Sequence, residues 1–417
     1  MAFIMGPAAG GATLAGTGAN DVLVARGGGN LIIGGGGEDD VITSWRGMDT
    51  VRLGEPGDGD SGRDTVLLAG KGNGVIAGDA GLDLLSWGGG NTVSLGNGDN
   101  RLEFWGRHNS VSTGFGDNDI LFHCGGNSVL LDGGLYPGSA GETWVRFAGT
   151  GNSFSLAESA FAPPPTVNLR IEGGAGQGSF DLGGLGTASL DTGGTGNRIF
   201  LGLGDYAIQP GAGDSLVSFP PSGRGAAAGE VSITLEGYGD RISGAAGHLE
   251  VQGGTGGTRV ELLGFTANDV DLRLGGEGNS VTSQTLVEGH IASAGGRAQY
   301  DIFGVAAEIV LAGADNRLQL DTLIGGRIVD GGEATRIDIS YSNTLYDFSG
   351  SILDFGAGRG GVVALDDGTT GYASVAAVLA ALESDGAGGS LLAIGGGALH
   401  FEGLAPAALA AANFAII

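Results

Sequence analysis

Residues 91–131 read NTVSLGNGDNRLEFWGRHNSVSTGFGDNDILFHCGGNSVLL. Asn91, Asn100, Asn109, Asn118 and Asn127 recur every nine residues, and two places after each stands an aliphatic residue: Val93, Leu102, Val111, Ile120 and Val129. Four places after each stand Leu95, Phe104, Thr113, Phe122 and Leu131. Side chains alternate along a strand, so both sets face one side, and that side is the predicted core. A repeat of glycine-rich turn plus short strand at this period predicts an all-β chain: a parallel β-solenoid, of β-roll or β-helix form, with a small α+β segment at its C-terminal end.

Running backwards from Asn91, the same slot is filled by Asp83, Asn73, Asp64, Asp49, Asp39, Asn30 and Asp21. If two repeats make one coil, the slots alternate between two edges. One edge carries Asp21, Asp39, Asp64, Asp83, Asn100 and Asn118, and the other Asn30, Asp49, Asn73, Asn91, Asn109 and Asn127. Three repeats take the form G-x-x-G-x-D-x-U-x with U a large apolar residue: GGGGEDDVI (residues 34–42), GDSGRDTVL (59–67) and GDAGLDLLS (78–86). These resemble the calcium nonapeptides of repeats-in-toxin (RTX) proteins. The resemblance implies Ca²⁺ as a cofactor, held by turn carbonyls together with Asp21, Asp39, Asp64 and Asp83 as metal ligands. A hard cation wants six to eight oxygens, which stacked turns can offer. The chain departs from the pattern wherever Asn replaces Asp, since the amide loses the charge. Stacked Asn side chains can instead hydrogen-bond one another and the turn backbone without a metal.

After Phe154 the period becomes irregular, although turn-then-strand units persist at Asn197, Asp205, Asp214, Asp240, Asn279 and Asn316. Insertions rich in Pro and Ala, near Pro163–Pro165 and Pro220–Pro221, read as loops, because proline cannot donate to a strand ladder. Three regions follow: a regular solenoid over residues 1–156, an irregular solenoid with loop insertions over 157–350, and a C-terminal cap or secretion target region over 351–417.

Glycine at 90 of 417 residues would mean disorder if it were unpatterned, but here it falls in the turns of a periodic apolar pattern. The net charge of −27, with Lys71 the single lysine, argues against nucleic acid or an anionic membrane as a partner. No apolar run is long enough to span a bilayer. One cysteine, Cys124, cannot form an internal disulfide. The opening MAFIMGPAAGG (residues 1–11) lacks the basic region of a Sec signal peptide, and the first positive side chain is Arg26.

From about Gly371 the texture changes. Val375, Val378, Leu379 and Leu382 stand at helical spacing, GSLLAIGGGALHFEGL (residues 389–404) reads as two short strands, and an Ala-rich helix with an apolar tail closes the chain. Leu399, Phe401, Gly403, Leu404, Leu409, Phe414, Ile416 and Ile417 resemble the C-terminal target region of RTX-type substrates of type I secretion. That family's Asp before the final Phe is Asn413 here. The resemblance implies the type I secretion machinery as a partner and a secreted, extracellular or cell-surface location. The same segment also reads as a cap that seals the last coil, and the two readings are compatible.

The chain is not expected to be an enzyme. Its five histidines form no H-E-x-x-H, and GDSG (residues 59–62) lies inside a repeat without His and Asp partners. Arg101, Glu103, Trp105, Arg107 and His108, on neighbouring repeats, form a cluster able to grip a sugar, as polysaccharide lyases or epimerases on β-helices do. The leading expectation is a calcium-stabilised structural protein that self-assembles, head-to-tail or laterally, into a filament, S-layer or biofilm. The repeat begins within the first twenty residues without a capping helix, which leaves a strand edge for a second copy. The alternative expectation is an adhesive module binding cell-surface glycan through Trp105 or the proline-containing loops, followed by a polysaccharide lyase or epimerase-like β-helix enzyme acting through Arg101 or Arg107.

Overall fold

The computed structural model describes the chain except residues 36–38, 55–61, 133–140, 158–166, 184–185, 203, 220–227, 264–267 and 341–347. The insertion between Asp49 and Asp64 and the loops at Pro163–Pro165 and Pro220–Pro221 therefore lie largely or wholly outside the described residues. The chain forms two compact units, Met1–Gly211 and Ala212–Ile417. The expected change of texture near residue 156 falls inside the first.

In the first unit each strand pairs in parallel with the next but one. Thr92–Ser94 lies beside Ser110–Thr113 with Val93 opposite Val111, and Asn100–Phe104 lies beside Asn118–Phe122 with Leu102 opposite Ile120. Alternate strands thus build two parallel sheets, and two repeats make one coil. One sheet presents the inward column Leu23, Ile42, Val66, Leu84, Leu102, Ile120 and Val145. The other presents Leu14, Ile32, Val51, Val75, Val93, Val111, Val129 and Phe154. Every member of both columns is buried. At about 1.5–3 kcal/mol for each such side chain removed from water, these columns are the main favourable term holding the coils. Beside the first column the Phe104 and Phe122 rings stack with centroids 4.9 Å apart, and those of Phe122 and Phe147 at 5.3 Å.

Between strands the chain turns a tight corner on glycine, and successive corners touch. A Cβ on Gly88 would meet the carbonyl oxygen of Gly70 in the preceding coil at 1.6 Å, so no larger residue fits without moving the backbone.

The second unit keeps the parallel pairing but joins consecutive strands into long bent ones. Ser280–Ser293, Gln299–Leu311 and Arg317–Asp330 run side by side, with register shifts between Ser283 and Leu286 and between Val305 and Glu308. Such irregularities bend a strand, here carrying it round the corner. The C-terminal segment completes the ladders of this unit. Gly397–Glu402 pairs in parallel with Ser349–Leu353 and antiparallel with Ser390–Ile394, and Phe414–Ile416 pairs in parallel with Val362–Leu365. The helix Val375–Ala381, capped by the Ser374 side chain, is where helical spacing predicted one.

Candidate functional site

The slot residues predicted as metal ligands are decided by strand parity. A slot side chain faces inward when it stands two places before the first core residue. Asp21 precedes Leu23 and Asp64 precedes Val66 in this way, and both carboxylates are buried. Asp39 stands three places before Ile42 and is exposed, and Asp40 takes the slot. Asp83 stands one place before Leu84 and points outward, and Leu82 takes the slot. Asp39 and Asp83 are thus corrections to the single slot read from the repeat: a shift of one residue sends the side chain to the other face. In the same way Asp205 and Asp214 are exposed, with Tyr206 and Ser215 buried beside them.

The inward slots form hydrogen-bonded ladders. Asn109 Oδ1 accepts the backbone N–H of Asn91 in the neighbouring coil at 3.0 Å, and Asn127 Oδ1 accepts that of Asn109 at 2.9 Å. The series runs unbroken from the Ala12 N–H, donated to Asn30, to the Asn127 N–H, donated to Asn152. The amide nitrogens close the turn behind them: Asn91 Nδ2 donates to Gly88 O and Asn109 Nδ2 to Gly106 O, both at 2.9 Å. On the other edge Asp21 Oδ1 accepts the Ala2 N–H, Asp40 Oδ1 accepts the Asp21 N–H at 2.8 Å, and Asp64 Oδ1 accepts the Asp40 N–H at 2.8 Å.

The choice between Asp and Asn follows the turn. A carboxylate only accepts, so it needs donors where an amide finds carbonyls. Asp21 Oδ2 accepts the N–H and hydroxyl of Thr17, and Asp49 Oδ2 accepts the Ser44 hydroxyl. The N–H groups of Thr17 and then Ala2 hold the Asp21 carboxyl below its ordinary value.

Asp21 and Asp64 spend oxygens on backbone N–H groups. Asp39 accepts from Asn20 Nδ2 and the Arg63 N–H on the outside, and Asp83 pairs with Arg63 at 2.9 Å. Among the described residues no three His, Cys, Asp or Glu side chains converge on a cation position. The inward carboxylates of Asp21 and Asp64 are thus members of the hydrogen-bonded ladder, while Asp39 and Asp83 stand on the outer face.

A different set of residues does converge. The backbone N–H groups of Trp45, Ala69, Trp87, Trp105 and His123 donate in turn to Ala25, Ser44, Leu68, Ser86 and Phe104, which places these five residues one above another along one corner of the first unit. Three of the four tryptophans of the chain stand there, Trp45, Trp87 and Trp105 being 60, 51 and 48 % exposed. The Trp105 indole stacks on the His123 imidazole with centroids 3.7 Å apart and planes 15° from parallel, and His123 Nε2 lies 2.9 Å from Glu103 Oε1. The Cys124 thiol donates to the Trp105 carbonyl. Arg101 lies on the adjoining sheet face, opposite Asp83 in one neighbouring coil and Asp119 in the other. With Glu103 and Leu85 it borders a hollow of about 190 Å³. Of the predicted sugar-gripping cluster, Glu103 and Trp105 come together through His123, while His108 is a left-handed turn residue at φ 59°. The stripe was legible in part: each of Trp45, Trp87, Trp105 and His123 directly follows the second inward residue of its strand.

No family model matches this chain, nor does any curated protein or solved structure.

Proposed function

We propose that this chain is an extracellular structural protein whose first unit holds a glycan against the corner formed by Trp87, Trp105 and His123. The observation carrying the proposal is the half-exposure of the two indoles on adjacent coils, with a third aromatic ring stacked beyond. The C–H faces of a sugar ring are apolar and slightly positive, and the face of an indole is apolar and negative, so the two stack. Carboxylate and guanidinium groups at Glu103 and Arg101 stand within reach of sugar hydroxyls. The open stripe offers no enclosed space for chemistry, which favours binding over turnover. The C-terminal resemblance to a type I target region supports export by that route.

The test is a glycan array followed by titration of tryptophan fluorescence with each hit. Binding that is lost in Trp105→Ala and Trp87→Ala supports the proposal. An array without hits, or hits that both variants retain, overturns it.

A second reading is self-assembly through the face that carries the strand Phe3–Met5, which pairs in parallel with Val22–Ala25. Its neighbourhood exposes Met1, Phe3 and Met5 at 88, 65 and 49 %. Electron microscopy and sedimentation of the full chain, in millimolar calcium and in chelator, decide it. A strictly monomeric protein across concentration in both conditions ends that reading.

A further inference from the structure

The second unit carries a groove of about 1100 Å³ on the outer face of one sheet. One wall is the row of turns, where Tyr238, Gly256 and Glu277 follow one another in neighbouring coils. The other is the column of residues directly preceding the first inward residue of each strand: Arg241, Arg259, Ser280, Gln299 and Arg317, each opposite the next. The floor is kept low by Gly239, Gly257, Gly276 and Gly278. Tyr238, 63 % exposed, lies with its ring over Gly257, where even a Cβ would meet it at 2.6 Å.

The charges in this groove are unusual for the chain. A protein with 19 basic and 46 acidic residues places Arg241 and Arg259 directly opposite each other on adjacent strands. Like charges so placed destabilise a sheet. Among the described residues neither has a carboxylate within ion-pair distance, although other arginines of the same groove do: Arg297 pairs with Glu277, and Arg317 with Asp338 at 2.8 Å. Two adjacent, exposed guanidiniums without an internal counter-ion form a receptor for an external anion. The column continues past them for three strands to Arg317, about 14 Å from Arg259 at ordinary strand spacing, which gives the groove the length of several sugar rings. Within it Ser280, Thr282 and Gln299 offer hydroxyl and amide partners.

We propose that this groove binds a linear anionic polysaccharide, with Arg241 and Arg259 as a fork for one carboxylate or sulfate and Tyr238 against a sugar ring. Ser280, Thr282 and Gln299 take its hydroxyls. A nucleic acid would meet Glu277 and Asp301 and offers few hydroxyls to Ser280, Thr282 and Gln299. An anionic glycan carries hydroxyls on every ring beside its charged groups, which matches the mixed lining of the groove. This site lies in the second unit and does not rest on the aromatic corner of the first.

Affinity electrophoresis and calorimetry of the full chain with polygalacturonate, dextran sulfate, neutral dextran and single-stranded DNA test the proposal, with Arg241→Gln, Arg259→Gln and their double variant compared. The expected result is salt-sensitive binding of polygalacturonate or dextran sulfate, weakened about tenfold or more in the double variant. Which of the two polymers binds tighter identifies the anion as carboxylate or sulfate. The substituted side chains are exposed, and circular dichroism confirms that the variants remain folded. Absence of binding to both polyanions, equal binding of neutral dextran, retention of affinity in the folded double variant, or tighter binding of DNA would each overturn it.

Discussion

Asn109 Oδ1 accepts the backbone N–H of Asn91 from the neighbouring coil at 3.0 Å, while Asn109 Nδ2 donates to Gly106 O within its own turn at 2.9 Å. One amide thus satisfies a buried donor above it and a carbonyl behind it, joining coil to coil and strand to turn. Both functions need an amide, because a carboxylate has no donor and an apolar residue has neither group.

Replacing Asn109 by Ala strands the Asn91 N–H and the Gly106 carbonyl together. A loss of about 2–6 kcal/mol is expected, at about 1–3 kcal/mol for each buried group left unmet. Asn109→Asp keeps the acceptor but sets a carboxylate against Gly106 O, so it should also destabilise at neutral pH and recover in acid. Urea unfolding with an unchanged slope and a lowered midpoint is the readout. A midpoint shift within error for the Ala variant would show that the ladder contributes little.

Asp21 and Asp240 predict opposite pH dependence in the two units. Backbone N–H groups hold the Asp21 carboxyl below 3.8, so its contribution is complete above that value and is lost as pH falls through the lower, folded one. Asp240 is the reverse. Burial pushes its carboxyl up, the Asp214 charge adds to the rise, and the Ser215 N–H opposes it. Its Oδ2 has no hydrogen-bond partner. The folded state there binds the proton more tightly than the unfolded chain, so stability falls as pH rises through the interval between the ordinary value and the folded one. Asp240→Asn removes that slope and supplies the donor that Asn279 and Asn316 carry in equivalent slots. A gain of about 1–2 kcal/mol at pH 7 is expected. Calorimetric melting of Asp21→Asn and Asp240→Asn across pH checks both slopes, and a destabilised Asp240→Asn would contradict the assignment.

Asn413 is held in the second unit by hydrogen bonds that use both halves of its amide. Its Nδ2 donates to Ala357 O at 2.9 Å and Gly361 O at 3.1 Å, while Oδ1 accepts the Ala410 N–H. Asn413→Asp would turn an oxygen toward two carbonyls in a buried site and should cost about 2–4 kcal/mol. Thermal unfolding of this variant beside Asn413→Ala separates the two effects: the Asp variant should be the less stable of the pair at neutral pH and approach it in acid.

The repeat by itself determined the coil. Spacing of nine and alternation of two are local properties of the chain, and they predicted the parallel pairing, the inward columns from Val93 to Leu131, and the amide ladder. Parity within each repeat also separates Asp40 from Asp39 and Leu82 from Asp83, because which face a side chain takes depends only on its distance from the first core residue. The tertiary structure alone decided what meets on the outside. Arg241 and Arg259 are eighteen residues apart and Arg317 a further fifty-eight, and the intervening coils differ in length. No fixed period therefore shows that they share one column. Likewise, whether a buried Asp is satisfied depends on whether its turn offers a hydroxyl, as Ser44 does to Asp49, or nothing, as at Asp240 Oδ2. The core repeats because every coil buries the same kind of surface. The outer face is free of that constraint, and its residues acquire neighbours only when the coils are stacked.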